Sequence, residues 1–453
     1  MDGLTLSLDK MRREGLADAA IETFRFYYEQ LVAGETGMLP ESAIEPLDAL
    51  PEYDDLPESS AAGVLDQAVV IKLNGGLGTS MGMTGPKSLL EVKDGRTFLD
   101  VIAEQVLALR AASGARLPLV LMNSFATQRR SLRALARHDG LATELPDDFL
   151  QNREPKLLAS DLTPVEWPRS PGLEWCPPGH GDLYTALQTS GMLERLLDEG
   201  FRYAFVSNVD NLGAELDPRI LAWFAESGAP FASEGIDRTP ADRKGGHLAR
   251  VADGGGLVLR EVAQCPDEDL DAFQDITRHR FFNANNLWID LQALDALLAE
   301  RGPVLGLPLI VNRKTVDPGD PSSPEVVQLE TAMGAAIGVF DGAAALRVPR
   351  RRFLPVKTTS DLLVLRSDAY VLTPDRRVSL ADGLTGAPLV SLSDAYKLVD
   401  GFDRRFPGGA PSLVAASRLV VEGDIRFGRG VVVRGDVTLS GNEPVPDGAV
   451  LSG

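Results

Sequence analysis

The densest chemistry in the sequence lies between Lys72 and Ser88, KLNGGLGTSMGMTGPKS. An apolar run, AVVIKL from Ala68 to Leu73, leads directly into Gly75, Gly76, Gly78, Gly82 and Gly85. Glycines in such a turn let main-chain N–H groups close on an anion or a flat base without interference from a Cβ. Lys87 adds a compact positive charge suited to a phosphate. Two familiar phosphate loops are excluded. A Walker A loop needs Gly-Lys-Ser in sequence, and Pro86 separates Gly85 from Lys87. A dinucleotide fingerprint starting at Gly76 would need a glycine where Met81 stands. Further along, FVSNVDNLG reads as a strand ending near Asp210. One carboxylate combined with phosphate oxygens is a usual magnesium arrangement. In CPPGHGDLY, a Pro-Pro-Gly turn exposes backbone beside His180 and opens a helix near Asp182. The FFNANNLW segment carries Asn283, Asn285 and Asn286, amide side chains that both donate and accept.

The long loop, with Asn74 before the glycines and Ser80-Met81-Gly82 after them, resembles the signature of the eukaryotic-type UTP–glucose-1-phosphate uridylyltransferases. The resemblance continues through CPPGHGDLY, FVSNVDNLG, DRKGGHL, LREVAQ, FFNANNLW and RRRFLPVKTTSDLL. It departs at Ala284, where the family pattern has threonine. What it implies is a glycosyltransferase-A-like nucleotide-binding domain and magnesium-dependent transfer of UMP from UTP to glucose 1-phosphate. By this resemblance Leu73, Asn74, Gly75, Gly76, Met122, Gln151, Gly179 and Asp210 hold the nucleotide. His180, Asn208, Gly246, Glu261, Asn283, Asn285 and Lys357 meet the sugar phosphate. Lys87 and Lys357 are the implied catalytic lysines, and Asp210 the implied Mg2+ residue. Arg350–Arg352 read as a solvated basic patch. An enzyme for N-acetylhexosamine or several sugar 1-phosphates shares the loop and stays open, as does a silent nucleotide-sugar sensor.

These residues need a scaffold. Strand candidates at Ala68–Leu73, Leu119–Asn123, Tyr203–Asn208 and Phe231–Ser233 alternate with helix candidates at Phe125–Arg137, Leu183–Leu197 and Leu291–Glu300. Alternation of this kind predicts an α/β fold with a mixed, mostly parallel central sheet flanked by helices, and ligands at the strands' C-terminal ends. One amphipathic helix is predicted from Asp9 to about Leu31, followed by an acidic linker or packing arm from Pro40 to Pro57. From Leu413 the Val/Ile runs broken by Gly-Asp and Gly-Arg-Gly predict a small β-helix, with a β-hairpin cap as the alternative. The expected divisions are residues 1–60, a catalytic domain over 61–370 and a C-terminal domain over 371–453, the last a possible surface for self-association.

Composition sets the outer limits. The chain has 453 residues, 44% of them apolar, enough for several domains around a large core. Its formal charge is −20 and its pI about 4.7, which argues against nucleic acid or an anionic membrane as partner. Any phosphate site must then be a local concentration of cations and N–H groups. Cys176 and Cys265 make no disulfide framework, and His138, His180, His247 and His279 are too scattered to predict a zinc site. No leader or membrane span is evident, so a cytoplasmic location is expected.

Overall fold

The computed structural model describes residues 2–58, 61 and 63–453. At its centre lies a sheet of ten strands: β1 (Ile44–Pro46), β2 (Ala68–Asn74), β3 (Leu119–Asn123), β4 (Asp148–Leu150), β5 (Tyr203–Asn208), β6 (Phe231–Asp237), β7 (His247–Val251), β8 (Leu257–Arg260), β9 (Phe281–Asp290) and β10 (Ala344–Arg347). The main path runs β1-β7-β9-β5-β2-β3-β4. Parallel pairing joins β5, β2, β3 and β4 in one half, and β6 to β10. Antiparallel pairing is concentrated around the long strand β9.

The parallel half is covered on both faces, which is why β2 reads as a nearly unbroken apolar run. Successive side chains alternate. Val70 joins Leu119, Leu121 and Phe205 in the core under the helix Phe98–Ser113. Val69 and Ile71 join Val120, Met122 and Val206 under the helices Leu183–Thr189, Met192–Asp198 and Leu291–Arg301. The helix Phe98–Ser113 starts at a capping box formed by Thr97 and Asp100 and ends at left-handed Gly114.

Several predicted elements change length. The N-terminal helix is two, Gly3–Arg13 and Asp18–Val32, because Gly15 turns left-handed between them. The span Leu183–Leu197 likewise divides at Gly191, which is also left-handed. The segment after Pro40 is a packing arm rather than a loose linker: it supplies β1 to the sheet edge, antiparallel to β7. At the C-terminal end, Leu389–Leu392, Ser412–Val421, Val432–Leu439 and Val450–Ser452 pair in parallel. A hairpin cap would pair antiparallel, so coiling is the arrangement observed.

Candidate active site

Four parallel strands end side by side at one edge, and each delivers part of the site. β2 runs into the glycine loop, which closes when Lys87 N–H donates to the Gly76 carbonyl at 3.0 Å. Gly76 faces open space, with no atom within 4 Å of where a Cβ would stand. Gly75 is different: a Cβ there would lie 2.7 Å from Gln151 Oε1. Gln151 follows β4, and its N–H donates to the Asn123 carbonyl at 2.8 Å. The amide predicted at the base edge therefore sits against the glycine loop. Asn74 is fully buried, and its side chain donates to Asn123 Oδ1 and Ser131 Oγ, each at 2.7 Å. It braces β2 against β3, leaving its main chain to face the loop. Met122 is buried behind the same edge, while Leu73 is half-buried.

β5 ends at half-buried Asn208 and delivers Asp210. Lys87 Nζ donates to Asp210 Oδ2 at 2.6 Å, both side chains being mostly buried. The Asp210 carbonyl accepts from Val356 N at 3.1 Å, which brings Lys357 to the same edge. Lys357 is exposed; only its main-chain N–H is bonded, to Asp361, among the described residues. Its charge opposes the rise that burial imposes on the Glu261 carboxyl.

The residues expected on the sugar side converge independently. The Asn283 N–H donates to the Gly246 carbonyl at 3.0 Å, and a Cβ at Gly246 would meet Glu261 Oε2 at 2.5 Å. Asn283 Nδ2 donates to Asn285 Oδ1 at 2.9 Å, and Ser233 Oγ donates to Asn283 Oδ1 at 2.9 Å. Asn285 is left-handed, φ +54°, inside strand β9, where the pairing with β6 shifts register between Ser233 and Gly235. A bulge of this kind re-aims side chains next to a binding site. Left-handed Gly179 packs against the main chain of Thr331. It delivers exposed His180, whose Nδ1 accepts from Met333 N–H at 3.0 Å. That bond leaves the neutral ring's proton on Nε2, free to be donated. A Cβ at Gly334, the next residue, would lie 2.7 Å from Asn283 Nδ2.

Asp182 is buried and accepts from Asn152 N and Nδ2, at 2.6 and 2.8 Å. Burial nevertheless pushes its carboxyl up to about 7. It ties the His180 turn to Asn152.

The basic-patch expectation for Arg350–Arg352 holds for exposed Arg350 and Arg351 and is corrected at Arg352. Arg352 is 2% exposed and forks onto the fully buried Glu234, with Nε and Nη2 each 2.7 Å from its oxygens. Arg350 pairs with Asp242 and Arg351 lies over the Tyr53 ring. Asn211 was also passed over. Its Oδ1 accepts from Leu354 N and its Nδ2 reaches Arg352 O and Asn286 Oδ1, tying the Asp210 turn to the Lys357 segment. An asparagine directly after a strand-end aspartate was its one visible signal. The histidines are less scattered than their numbers suggest: His247 and His279 stack, centroids 3.8 Å apart.

No group of three or more His, Cys, Asp or Glu side chains among the described residues could enclose a metal. Asp210 fits Mg2+ by another route. Lys87 occupies one carboxylate oxygen and leaves the other, and Mg2+ in phosphate sites needs one or two carboxylates beside phosphates and water.

A glycine loop and two lysines at the edge of a mixed α/β sheet, facing an amide-rich pocket, are the arrangement of a sugar-phosphate nucleotidyltransferase. A protein-family profile described as UTP–glucose-1-phosphate uridylyltransferase matches residues 21–434. The chain belongs to this family. It is 41% identical over 419 residues to UTP–glucose-1-phosphate uridylyltransferase of Solanum tuberosum, covering 91% of this chain and 85% of that one. Its fold matches a mutant UDP-glucose pyrophosphorylase of Leishmania major in complex with UDP-glucose, with TM-score 0.94, 45% identity and coverage of 99% and 98%. It also matches the structure of a UDP-glucose phosphorylase from Trypanosoma brucei, with TM-score 0.90 and 44% identity, covering 100% of this chain and 99% of that one.

Proposed function

We propose that this chain joins UTP to glucose 1-phosphate, giving UDP-glucose and pyrophosphate, and runs the reaction reversibly. The observation that carries the reading is the meeting of Lys87, Asp210 and Lys357 between the glycine loop and the Glu261–Asn283–Asn285 pocket.

The second pKa of a phosphate monoester is about 6, so glucose 1-phosphate arrives largely as the dianion. It needs no general base. What opposes reaction is the repulsion of two polyanions, and what the protein supplies is compensating charge in a fixed line of approach. Loop N–H groups and Lys87 face the triphosphate, and the Lys357 ammonium, unpaired among the described residues, reaches the phosphates of both substrates. Asp210 would hold Mg2+ together with phosphate oxygens, and the bound ion supplies further neutralisation of the phosphates. A phosphate oxygen of the sugar ester then attacks the α-phosphorus while the bond to the β-phosphate breaks, pyrophosphate taking the electron pair. Gln151 beside Gly75 reads the uracil edge; Glu261, Asn283 and Asn285 read the glucose hydroxyls.

Supplying purified protein with UTP, glucose 1-phosphate and Mg2+ is expected to release pyrophosphate and form UDP-glucose. No release ends the reading. A trapped uridylyl-enzyme would replace direct displacement by a two-step route. Galactose and N-acetylglucosamine 1-phosphates in parallel test sugar choice. A cytoplasmic location is supported by two buried, unpaired cysteines, and no helix among the described residues is long and apolar enough to cross a membrane. Self-association through the C-terminal coil belongs to the same reading; Val450 is exposed on its last strand, and elution volume against concentration tests it.

A further inference from the structure

We propose that Glu41 is a positioning residue for the sugar subsite, holding Gly246 and Glu261 in place from behind the strands that carry them. The proposal rests on the reading above that these two residues face the sugar.

Glu41 lies in the arm that leads to β1, far from the site in sequence. Its carboxylate accepts from Arg260 Nη1 and Arg278 Nε, each at 2.6 Å, and lies 3.0 Å from His279 Nε2. Its own N–H donates to Asp269 Oδ2, which also accepts from Arg260 Nη2. Arg260 and His279 are fully buried. Arg260 immediately precedes Glu261. His279 stacks on His247, the rings inclined by 21°, and His247 immediately follows Gly246. His247 and Arg260 are register partners across β7 and β8. Successive residues of an extended chain point to opposite sides, so the pair held by Glu41 backs the pair that faces the cleft.

Two further contacts tighten the link. Both ring nitrogens of buried His247 lack a hydrogen-bond partner among the described residues. Packing against His279 and Phe273 is then what fixes its ring. Leu39 N–H donates to the Gln264 carbonyl at 2.7 Å, and Gln264 Oε1 accepts from Glu261 N–H at 2.8 Å. The arm thus holds the turn after Glu261 as well as the strand before it. Among the described residues, the nucleotide loop has no member in this network.

The test is Glu41→Gln in the full chain, which keeps volume and removes the charge facing two arginines. Initial rates with each substrate varied in turn are expected to show KM for glucose 1-phosphate raised about tenfold, with kcat and KM for UTP changed by less than about twofold. A role in stability alone lowers the active fraction, so kcat falls while both KM values stay; that outcome overturns the proposal, as do unchanged kinetics. If Glu41→Gln does not fold, Arg278→Gln carries the test, since Arg278 is half exposed and bonds Glu41 from the surface. Its KM for glucose 1-phosphate should rise about two- to threefold with KM for UTP unchanged, and no rise overturns the proposal. Wild type run alongside separates the two readings. Wild type that forms no UDP-glucose removes the functional reading and this proposal with it; active wild type with an unaltered variant removes the positioning role alone.

Discussion

Two residues in the cleft make opposite demands on a substitution. Lys357 has an ammonium that bonds to nothing else among the described residues, so its removal disturbs no structure that the fold needs. Lys357→Ala is expected to lower kcat by about a hundredfold or more while glucose 1-phosphate binding weakens far less, because the charge acts on phosphates drawn together in the transition state. Steady-state kinetics beside calorimetric titration checks this; near-normal turnover would show that the lysine is misassigned. Gly76→Val is the converse case. A Cβ there meets open space within the protein, so the variant is expected to fold and to melt within about 2 °C of wild type. The added branch would stand where main chain closes on the nucleotide, so UTP binding should be lost. Intact UTP affinity would remove the loop from the site. Gly75 would not serve this test, since its Cβ would first displace Gln151.

At the scale of elements, what positions Lys357 is a buried ion pair. Glu234 on β6 accepts from Arg352, Asn286 Nδ2 and Trp288 Nε1, all within 3.0 Å. Glu234→Ala strands a buried guanidinium and is expected to cost about 3–5 kcal/mol, read as a lower urea midpoint at unchanged slope. A loss below about 1 kcal/mol would mean that Arg352 finds solvent. This pair also marks where sequence reading ran out. β2, β3 and β5 were legible because runs buried on both faces are apolar and end at glycine or asparagine. The convergence of the cleft residues was legible where chemistry restricts the residue type: glycines against Gln151, clustered amides, a strand-end carboxylate. Arg352 was misread because three consecutive arginines look solvated, and the acid that buries one of them lies 118 positions away. The breaks at Gly15 and Gly191 were missed because apolar spacing runs through both turns. Glu41 was invisible for the same reason as Glu234: its partners are over two hundred positions distant.

The whole molecule carries one charge at the centre of its sheet that sequence patterning treats as an interruption. Lys72 is 1% exposed, and its ammonium donates to Ser207 Oγ at 2.6 Å and the Ala214 carbonyl at 2.5 Å. Burial, then the nearby Arg352, lowers its pKa from 10.5 to about 7. Glu215, in the same cavity of about 420 Å³, is pushed by burial from 4.5 up to about 7, against the pull of Arg352 and Arg377. The two groups tilt global stability in opposite directions. Glu215 has a raised folded pKa, so its contribution is complete below pH 4.5 and is lost as pH rises through 7. Lys72 has a lowered folded pKa: above 7 the unfolded chain binds a proton that the folded one does not, so stability climbs from pH 7 toward 10.5. The contribution of these two groups to unfolding free energy therefore has its minimum near pH 7. Lys72→Met keeps the volume and is expected to remove the alkaline limb, a difference from wild type of ~1 kcal/mol per pH unit between pH 7 and 9. Glu215→Gln should reduce the acid limb, to which buried Asp182 also contributes, and leave the alkaline one. Urea titrations of both variants at pH 5.5, 7 and 9 separate the limbs; parallel profiles for wild type and Lys72→Met would mean that Lys72 stays charged in the folded sheet throughout.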